Sequence, residues 1–380
     1  MNRLCIYLTY NKEKKLYDYI GRVLQSLREC CQKVCLVCNY DRIEEGQEYA
    51  RSYADQIFCR ENRGYDSGAY KDMLCRYLGW DEVEKYDEII LANDSFFGFF
   101  YPLQDTFRLM EQGECDYWGM TGQAAGEYRN PLREFDAHIH SYFMVFRKNI
   151  IESKAFRDFW EELAYPQNFR QAIVNFELGI NERLKACGFI GKSYIDLYQI
   201  QLGRNENPCY SKTLELVEKY RMPVMKKKCL LVRSAGFEDT LRTLAFLNRE
   251  NLYPVEWMIP FLENQFYIPG TGDGVCNSLE IFYHNHPEVY IYGTGMCGKG
   301  LSHYFAHKGW EYKGHIVTDK NRTDIPAYDM EEADIGSDTG IVISVVDPGI
   351  AEEIAAHIGG RCSRDQLFFI SDCAAIRMPE

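Results

Sequence analysis

Residues 61–95, ENRGYDSGAYKDMLCRYLGWDEVEKYDEIILANDS, carry two short polar clusters on which the reading of the whole chain turns. The first, Asn62-Arg63-Gly64-Tyr65-Asp66-Ser67-Gly68-Ala69, sets two glycines and small polar side chains between an expected strand at 56–59 and a helix expected to begin near Ser67. Glycine lets backbone approach a ligand closely, and a helix N-terminus behind it favours negative charge. The second cluster follows an apolar run, 88–92, that suits a buried parallel strand, and it consists of Asn93-Asp94-Ser95. A carboxylate at the C-terminal lip of a central strand, where open α/β sheets hold their ligands, is placed to hold a divalent cation, Mg²⁺ or Mn²⁺, against a diphosphate. Together the clusters point to a sugar-nucleotide site.

The flanking sequence alternates strand and helix. Residues 4–10 read as a strand, 14–30 carry Leu16, Tyr19, Ile20, Val23, Leu24 and Leu27 at helical spacing, and 33–39 read as a second strand. The class expected is therefore α/β, a doubly wound and mainly parallel sheet with its ligands at the strand C-termini. After Asp94 a helix is expected from Pro102 to Met110, then strands at 115–121 and 138–147 with a polar loop, 122–136, between them. Helices follow at 156–163 and from about 170 to 187, the latter carrying Glu177 ahead of an amphipathic pattern closed by Gly188.

From 231 to 287 the signals thin to two helices and a Gly-rich turn, PGTGDGVCN, which reads as a helical connector. The alternation restarts at 288. A strand at 289–292 runs into Gly293-Thr294-Gly295-Met296-Cys297-Gly298 and a helix, and a strand at 315–318 ends in Asp319. This is the dinucleotide fingerprint in its strand, turn and helix context, with an acid roughly 20 residues on to meet a ribose hydroxyl. Further β-α-β pattern completes a smaller Rossmann-like α/β domain at 288–380, beside a first domain at 1–230. NAD(P) binding at these glycines and a docking module without cofactor are both open readings.

Composition narrows the partners. A formal net charge of −13 disfavours nucleic acid, which is bound chiefly through basic residues. One run, RMPVMKKKCLLVR at 221–233, is basic with apolar neighbours, and reads as a solvated loop or as a contact with a membrane surface. The start, MNRLCIYLTY, has no signal-peptide core, so the fifteen cysteines are expected reduced in a cytosolic protein. Cys35 and Cys38 fall on a strand, which turns them to opposite faces and leaves them as core residues. No apolar window is long enough for a membrane helix.

The run from Asn62 to Lys71, then YDEIILANDSFFGFFYPL, CDYWGMT and HSYFMVFRK, resembles the rhamnan synthesis protein F family, bacterial glycosyltransferases of cell-wall rhamnan and O-antigen assembly, and through them the GT-A glycosyltransferases. The resemblance implies a nucleotide-diphosphate sugar donor, a deoxythymidine-diphosphate L-rhamnose in the first place, and a lipid-linked or polysaccharide acceptor. It places Thr9, Asn39, Asn62, Gly64, Asp66, Ser67 and Asn93 on the donor, Asp94 on the metal, Trp118 and His140 toward the acceptor, and Glu177 as the catalytic base of an inverting transfer. One departure is plain: the family pattern of two carboxylates at the strand end is here Asn93-Asp94-Ser95, with one. The alternatives are an NAD(P)-binding oxidoreductase or sensor built on Gly293, Gly295, Gly298 and Asp319, and a non-catalytic sugar-nucleotide-binding partner.

Overall fold

A computed structural model describes residues 1–129, 132–196, 200, 207–230, 237–261, 275–323, 325–345 and 347–372. The chain forms two compact units, Met1–Leu230 with Ser234–Met258, and Leu231–Arg233 with Ile259–Glu380. The stretch read as a connector is divided between them: helix Phe237–Arg249 goes with the first and helix Val275–Asn285 with the second. Most of its Gly-rich turn lies outside the described residues.

The first unit is built on a seven-stranded sheet. Strands β1 (Arg3–Thr9), β2 (Lys33–Cys38), β3 (Gln56–Cys59) and β4 (Glu88–Asn93) are parallel, with β1 between β2 and β4. Beyond β4 the sheet continues through Phe143–Arg147, Tyr117–Gly119 and Gly191–Ser193, and of these Phe143–Arg147 runs antiparallel to both its neighbours. The mainly parallel α/β sheet is the one expected. Every residue of β1 is buried, because helices cover both faces of the sheet. Helix Asp18–Cys30 buries Tyr19, Ile20, Val23, Leu24 and Leu27, the periodic positions of the sequence. On the sheet, Leu4, Ile6 and Leu8 of β1 and Ile89 and Leu91 of β4 join Tyr70, Trp160 and Phe176 in one core. The chain leaves β1 toward β2 and β3, then crosses back to β4, so the order reverses between β1 and β4. Their C-terminal ends form the crevice where such sheets take ligands.

Three expectations are corrected. The stretch 138–147 is not one strand: His138–Ile139 pairs with Gly122–Gln123, and the sheet strand begins at Phe143. Between them Ser141 N–H donates to the Glu177 carboxylate and not to a neighbouring strand, while Tyr142 C=O still accepts Asn93 N–H at the end of the ladder. The polar loop 122–136 contains a hairpin, Gly126–Arg129 with Leu132–Phe135. Trp118, assigned to the acceptor side, is 0% exposed, its ring edge-on to Phe107 at 5.2 Å and 5.9 Å from Phe143. Strand alternation turns it into the core, where no acceptor reaches it.

The second unit carries a five-stranded, all-parallel sheet in the order Ala327–Asp329, Gly314–Val317, Glu288–Tyr292, Thr339–Ile343, Leu367–Phe369. Two apolar clusters pack against its faces, one with Ile343, Ala351 and Ile358, the other with Phe282, Ile291 and Phe305. The order again reverses beside its first strand, Glu288–Tyr292.

Trp118→Ala should cost about 3–5 kcal/mol of stability by emptying a packed site. Urea unfolding of the variant checks this. A fall in acceptor affinity with stability unchanged would return Trp118 to the acceptor surface.

Candidate active site

The crevice between β1 and β4 is closed by side chains from the two polar clusters. Asp94 follows β4, its N–H bonded to Leu8 C=O at 2.9 Å. Its Oδ2 accepts the Thr9 hydroxyl at 2.9 Å and Tyr10 N–H at 3.3 Å. Asn93 turns the chain off the strand by accepting Ser95 N–H at 3.1 Å, and its amide donates to Asp66 Oδ2 at 3.1 Å. The other Asp66 oxygen accepts Ser67 N–H at 2.8 Å. Burial lifts the Asp66 carboxyl to about 6; the Ser67 and Asn93 bonds oppose the shift and the Glu177 charge adds to it.

The glycine turn has its own frame. Gly64 has φ +77°, and a Cβ there would stand 2.7 Å from the Tyr165 ring. Ser67, fully buried, donates its hydroxyl to Gly64 C=O at 3.1 Å. Asn39 is 3% exposed, its amide donating to Asn62 Oδ1 and Tyr65 C=O at 3.1 and 3.2 Å while its oxygen accepts from Arg60. Arg60 is held in turn by Asp72, at 2.9 Å. Thr9, Asn39 and Ser67 therefore shape the turn and aim Asp94; with their polar atoms used and their surfaces buried, they do not face a donor as expected. Asn62 and Arg63 are exposed, and Asp66, Asn93 and Asp94 are partly so.

Glu177 lies where the helix expected from 170 widens into a π-helical turn, Ile173–Leu178. Such turns re-aim a side chain and are frequent at functional sites. Its Oε2 accepts both the N–H and the hydroxyl of Ser141 at 2.7 Å, and Oε1 stands 3.7 Å from His138 Nε2. Burial works to raise this carboxyl, but His138, His140 and the Ser141 N–H together hold it well below the usual carboxylate range. His140 is buried against Thr121, Oγ1 to Nδ1 2.9 Å, and its burial drives it down to about 4, so that it is neutral. His140 thus belongs to the Glu177 cluster and not to an open acceptor surface.

Sequence reading missed the lysines. The basic run at 221–233 is not a surface loop over its described length: Val224–Lys226 pairs antiparallel with Phe96–Gly98, and Lys227–Leu230 is a 3-10 turn whose first N–H bonds Ser95 C=O at 2.9 Å. Lys226 Nζ donates to Ser95 Oγ at 2.9 Å and sits 4.0 Å over the Tyr142 ring. Lys227, 8% exposed, places Nζ 3.6 Å from Asp94 Oδ2 and 4.3 Å over the Tyr19 ring. Burial lowers both ammonium groups, Lys226 to about 8, and Glu177 and Asp94 respectively oppose it. Lys228 is lowered in the same way, again against Glu177. Asn93 N–H bonds Tyr142 C=O, next to the Ser141 that holds Glu177, and Lys226 lies over the Tyr142 ring, so the two carboxylate clusters and the lysines lie together at the strand ends, in one basin.

The sequence pattern of rhamnan synthesis protein F matches residues 34–268, more than half of the chain and all of this basin apart from Thr9 and Tyr10. The chain belongs to the rhamnan synthesis protein F family. Among proteins, it is 24% identical over 269 residues to virulence protein VirA of Vibrio anguillarum, covering 62% of this chain and 82% of that one. Among solved structures it is similar to a 4-diphosphocytidyl-2C-methyl-D-erythritol synthase, TM-score 0.34 and 8% identity over 54% of this chain and 94% of that one. It is also similar to core-mannan synthase A of Aspergillus fumigatus in a Mn/GDP form, TM-score 0.28 and 11% identity over 48% and 71%. Membership of the rhamnan synthesis protein F family supports a glycosyltransferase.

Asp94 offers a divalent cation one carboxylate, which leaves the rest of its coordination to a diphosphate and water. Among the described residues no three His, Cys, Asp or Glu side chains converge to hold a metal. The second carboxylate position is Asn93, tied to Asp66 and Ser95, and the Asp94 oxygen already faces a hydroxyl, an N–H and an ammonium group.

In the second unit the three glycines differ. Gly293 has φ +110° with Ser344 Oγ 2.6 Å from where a Cβ would be, and a Cβ on Gly298 would stand 2.1 Å from Gly293 C=O, whereas one on Gly295 would meet nothing within 4 Å. Gly293 thus makes a tight bend, Gly295 lies open and Gly298 packs closely against Gly293. Asp319 caps the next turn, accepting Asn321 N–H at 3.0 Å. Gly298→Ala should lower the unfolding temperature of the protein and Gly295→Ala leave it unchanged, in differential scanning fluorimetry.

Asp66 makes the first unit pH-sensitive. Its folded-state carboxyl keeps a proton that the unfolded chain has already lost, so between about pH 4 and 6 this group lowers stability as pH rises. Asp66→Asn should remove that slope and raise stability at pH 7 by about 1–2 kcal/mol. Urea unfolding from pH 4 to 8 measures both.

Proposed function

We propose that this family member transfers a sugar, L-rhamnose from a deoxythymidine-diphosphate donor, to a hydroxyl of a growing cell-surface polysaccharide on the cytosolic side, with inversion at the anomeric carbon. The observation that carries this reading is the shared basin at the β1/β4 crevice. There an ionised carboxylate, Glu177, stands across from the polar lip Asp66, Asn93 and Asp94, with lysines on the lip.

Each part has a chemical use. Asn62, Arg63, Asp66 and Asn93 expose polar atoms to a donor at the strand ends. Glu177 takes the proton of the acceptor hydroxyl while that oxygen bonds to the anomeric carbon, and the electron pair of the broken bond leaves on the diphosphate oxygen. Ser141 fixes the carboxylate through Oε2, and Oε1, 3.7 Å from His138 Nε2, is the oxygen that would take the acceptor proton.

Glu177→Gln keeps the shape and the Ser141 contacts and removes the base. Nucleotide-sugar affinity should hold while turnover falls by roughly 10²–10⁴-fold. The assay is nucleoside-diphosphate release across a panel of nucleotide sugars with a polysaccharide acceptor, with the product's anomeric configuration read by NMR. Retention of configuration, or normal turnover in the variant, would remove Glu177 from this role.

A further inference from the structure

We infer that Cys38 and Cys59 are a peroxide-reactive thiol pair, in which Cys59 reacts with a hydroperoxide and Cys38 resolves the product to a disulfide between strands β2 and β3. Neither thiol takes part in the sugar transfer proposed above.

The pair is set by the sheet. Cys38 ends β2, Cys59 ends β3, and the parallel register places the two directly opposite each other. Opposite residues point to the same face, and neighbouring strands stand about 4.8 Å apart, inside the range of roughly 4.4–6.8 Å over which a disulfide closes. The two thiols already meet, Cys38 S–H donating to the Cys59 sulfur. Backbone and side chain hold both strand ends at this level. Arg60 N–H bonds Cys38 C=O at 2.9 Å, and the Arg60 guanidinium bonds Asn39 Oδ1 at 2.5 Å.

The surroundings divide the roles. Cys59 is exposed on the edge strand and lines a pocket with Arg42, Ile43 and Gln47, whereas Cys38 is fully buried behind it. A small oxidant therefore reaches Cys59 first. The bond from Cys38, helped by Ile43 N–H, brings the Cys59 thiol down to about 7 against burial and the Asp41 charge, so that much of it is thiolate at neutral pH. An exposed thiolate backed by a second thiol is the arrangement of redox-sensitive cysteines. The Cys38 thiol is raised, first by the bond it gives to Cys59 and then by burial. That bond ends once Cys59 carries oxygen, which leaves Cys38 to attack at short range.

In the first step the Cys59 thiolate attacks one oxygen of the hydroperoxide. The S–O bond forms, the O–O bond breaks, and the other oxygen leaves with the electron pair and takes a proton from water. Cys59 is then a sulfenic acid. In the second step the Cys38 sulfur bonds to the Cys59 sulfur, the S–O bond breaks, and hydroxide leaves with the Cys38 proton as water. The two sulfurs lose two electrons and the peroxide gains them.

The test treats the reduced full chain with hydrogen peroxide, alkylates the remaining thiols and maps the peptides by mass spectrometry. A Cys38–Cys59 disulfide should form and be released by dithiothreitol. Cys59→Ser should abolish it, and Cys38→Ser should leave a Cys59 sulfenic acid that dimedone captures. Cys187→Ser, which removes another exposed thiol, should leave the disulfide unchanged. Without peroxide, the rate of Cys59 alkylation by iodoacetamide should rise through an inflection near pH 7. In Cys38→Ser that inflection should move up toward about 8.5, the ordinary thiol value. If buried Cys38→Ser does not fold, the peptide map and the pH profile of the unaltered protein still decide. Absence of a disulfide between these two cysteines, or a Cys59 inflection at the ordinary thiol value in the unaltered protein, overturns the assignment.

Discussion

The parallel pairing of β1 with β4 is the constraint on which the site depends. Its register sets Leu8 beside Asn93, so that the chain leaves both strands at the same level and Asp94 N–H finds Leu8 C=O. Thr9 then reaches Asp94 with its hydroxyl, and the carboxylate is aimed without help from any loop. A slip of one residue would turn Asp94 and every apolar residue of β4 to the opposite face. The fully buried β1 makes that slip prohibitively costly. The precision of the lip is thus inherited from the hydrophobic core beneath it.

The rest of the basin is added from far along the chain, and this explains which parts were legible in the sequence. The sheet was readable because its strands are short apolar runs set between helices of clear period, and the glycine turn because Gly64 and Gly68 are needed for backbone geometry. Glu177 was readable only through its position ahead of an amphipathic helix; the π-helical turn that aims it leaves no periodic trace. The lysines were misread because three adjacent charges in a row look solvated, and nothing local announces that a two-stranded ladder to Phe96–Gly98 will bury them. Trp118 was misread for the converse reason. Aromatic residues suit sugars and cores equally, and only the sheet's handed alternation, with Phe107 covering one face, decides between them.

Asn39 and Thr9 show a similar limit. Polar residues at strand ends were expected to face the donor, yet a tight turn carrying two glycines leaves many backbone groups unpaired, and buried polar groups must be paired. Asn39 answers that need by spanning Asn62 and Tyr65, with Arg60 and Asp72 completing the network. What remains exposed is a smaller set than residue type alone suggests.

The two ends of the same sheet treat buried charge in opposite ways, and the contrast separates scaffold from site. At the N-terminal edge Arg3 Nε lies 2.6 Å from Glu88, a carboxylate 1% exposed, with Arg147 on its other side at 3.6 Å. Such a pair gains little net stability over apolar residues but is severely costly to break, so it locks β1, β4 and the antiparallel strand in register. At the C-terminal edge Lys227 and Asp94 are also largely buried, but the pair is looser, at 3.6 Å, with the Asp94 side chain 17% exposed and Lys227 Nζ also donating to the Tyr19 hydroxyl at 3.3 Å. The tight pair spans three strands of the sheet and fixes their register, whereas the looser one lies at the strand ends where the sheet opens, and the same kinds of side chain serve both.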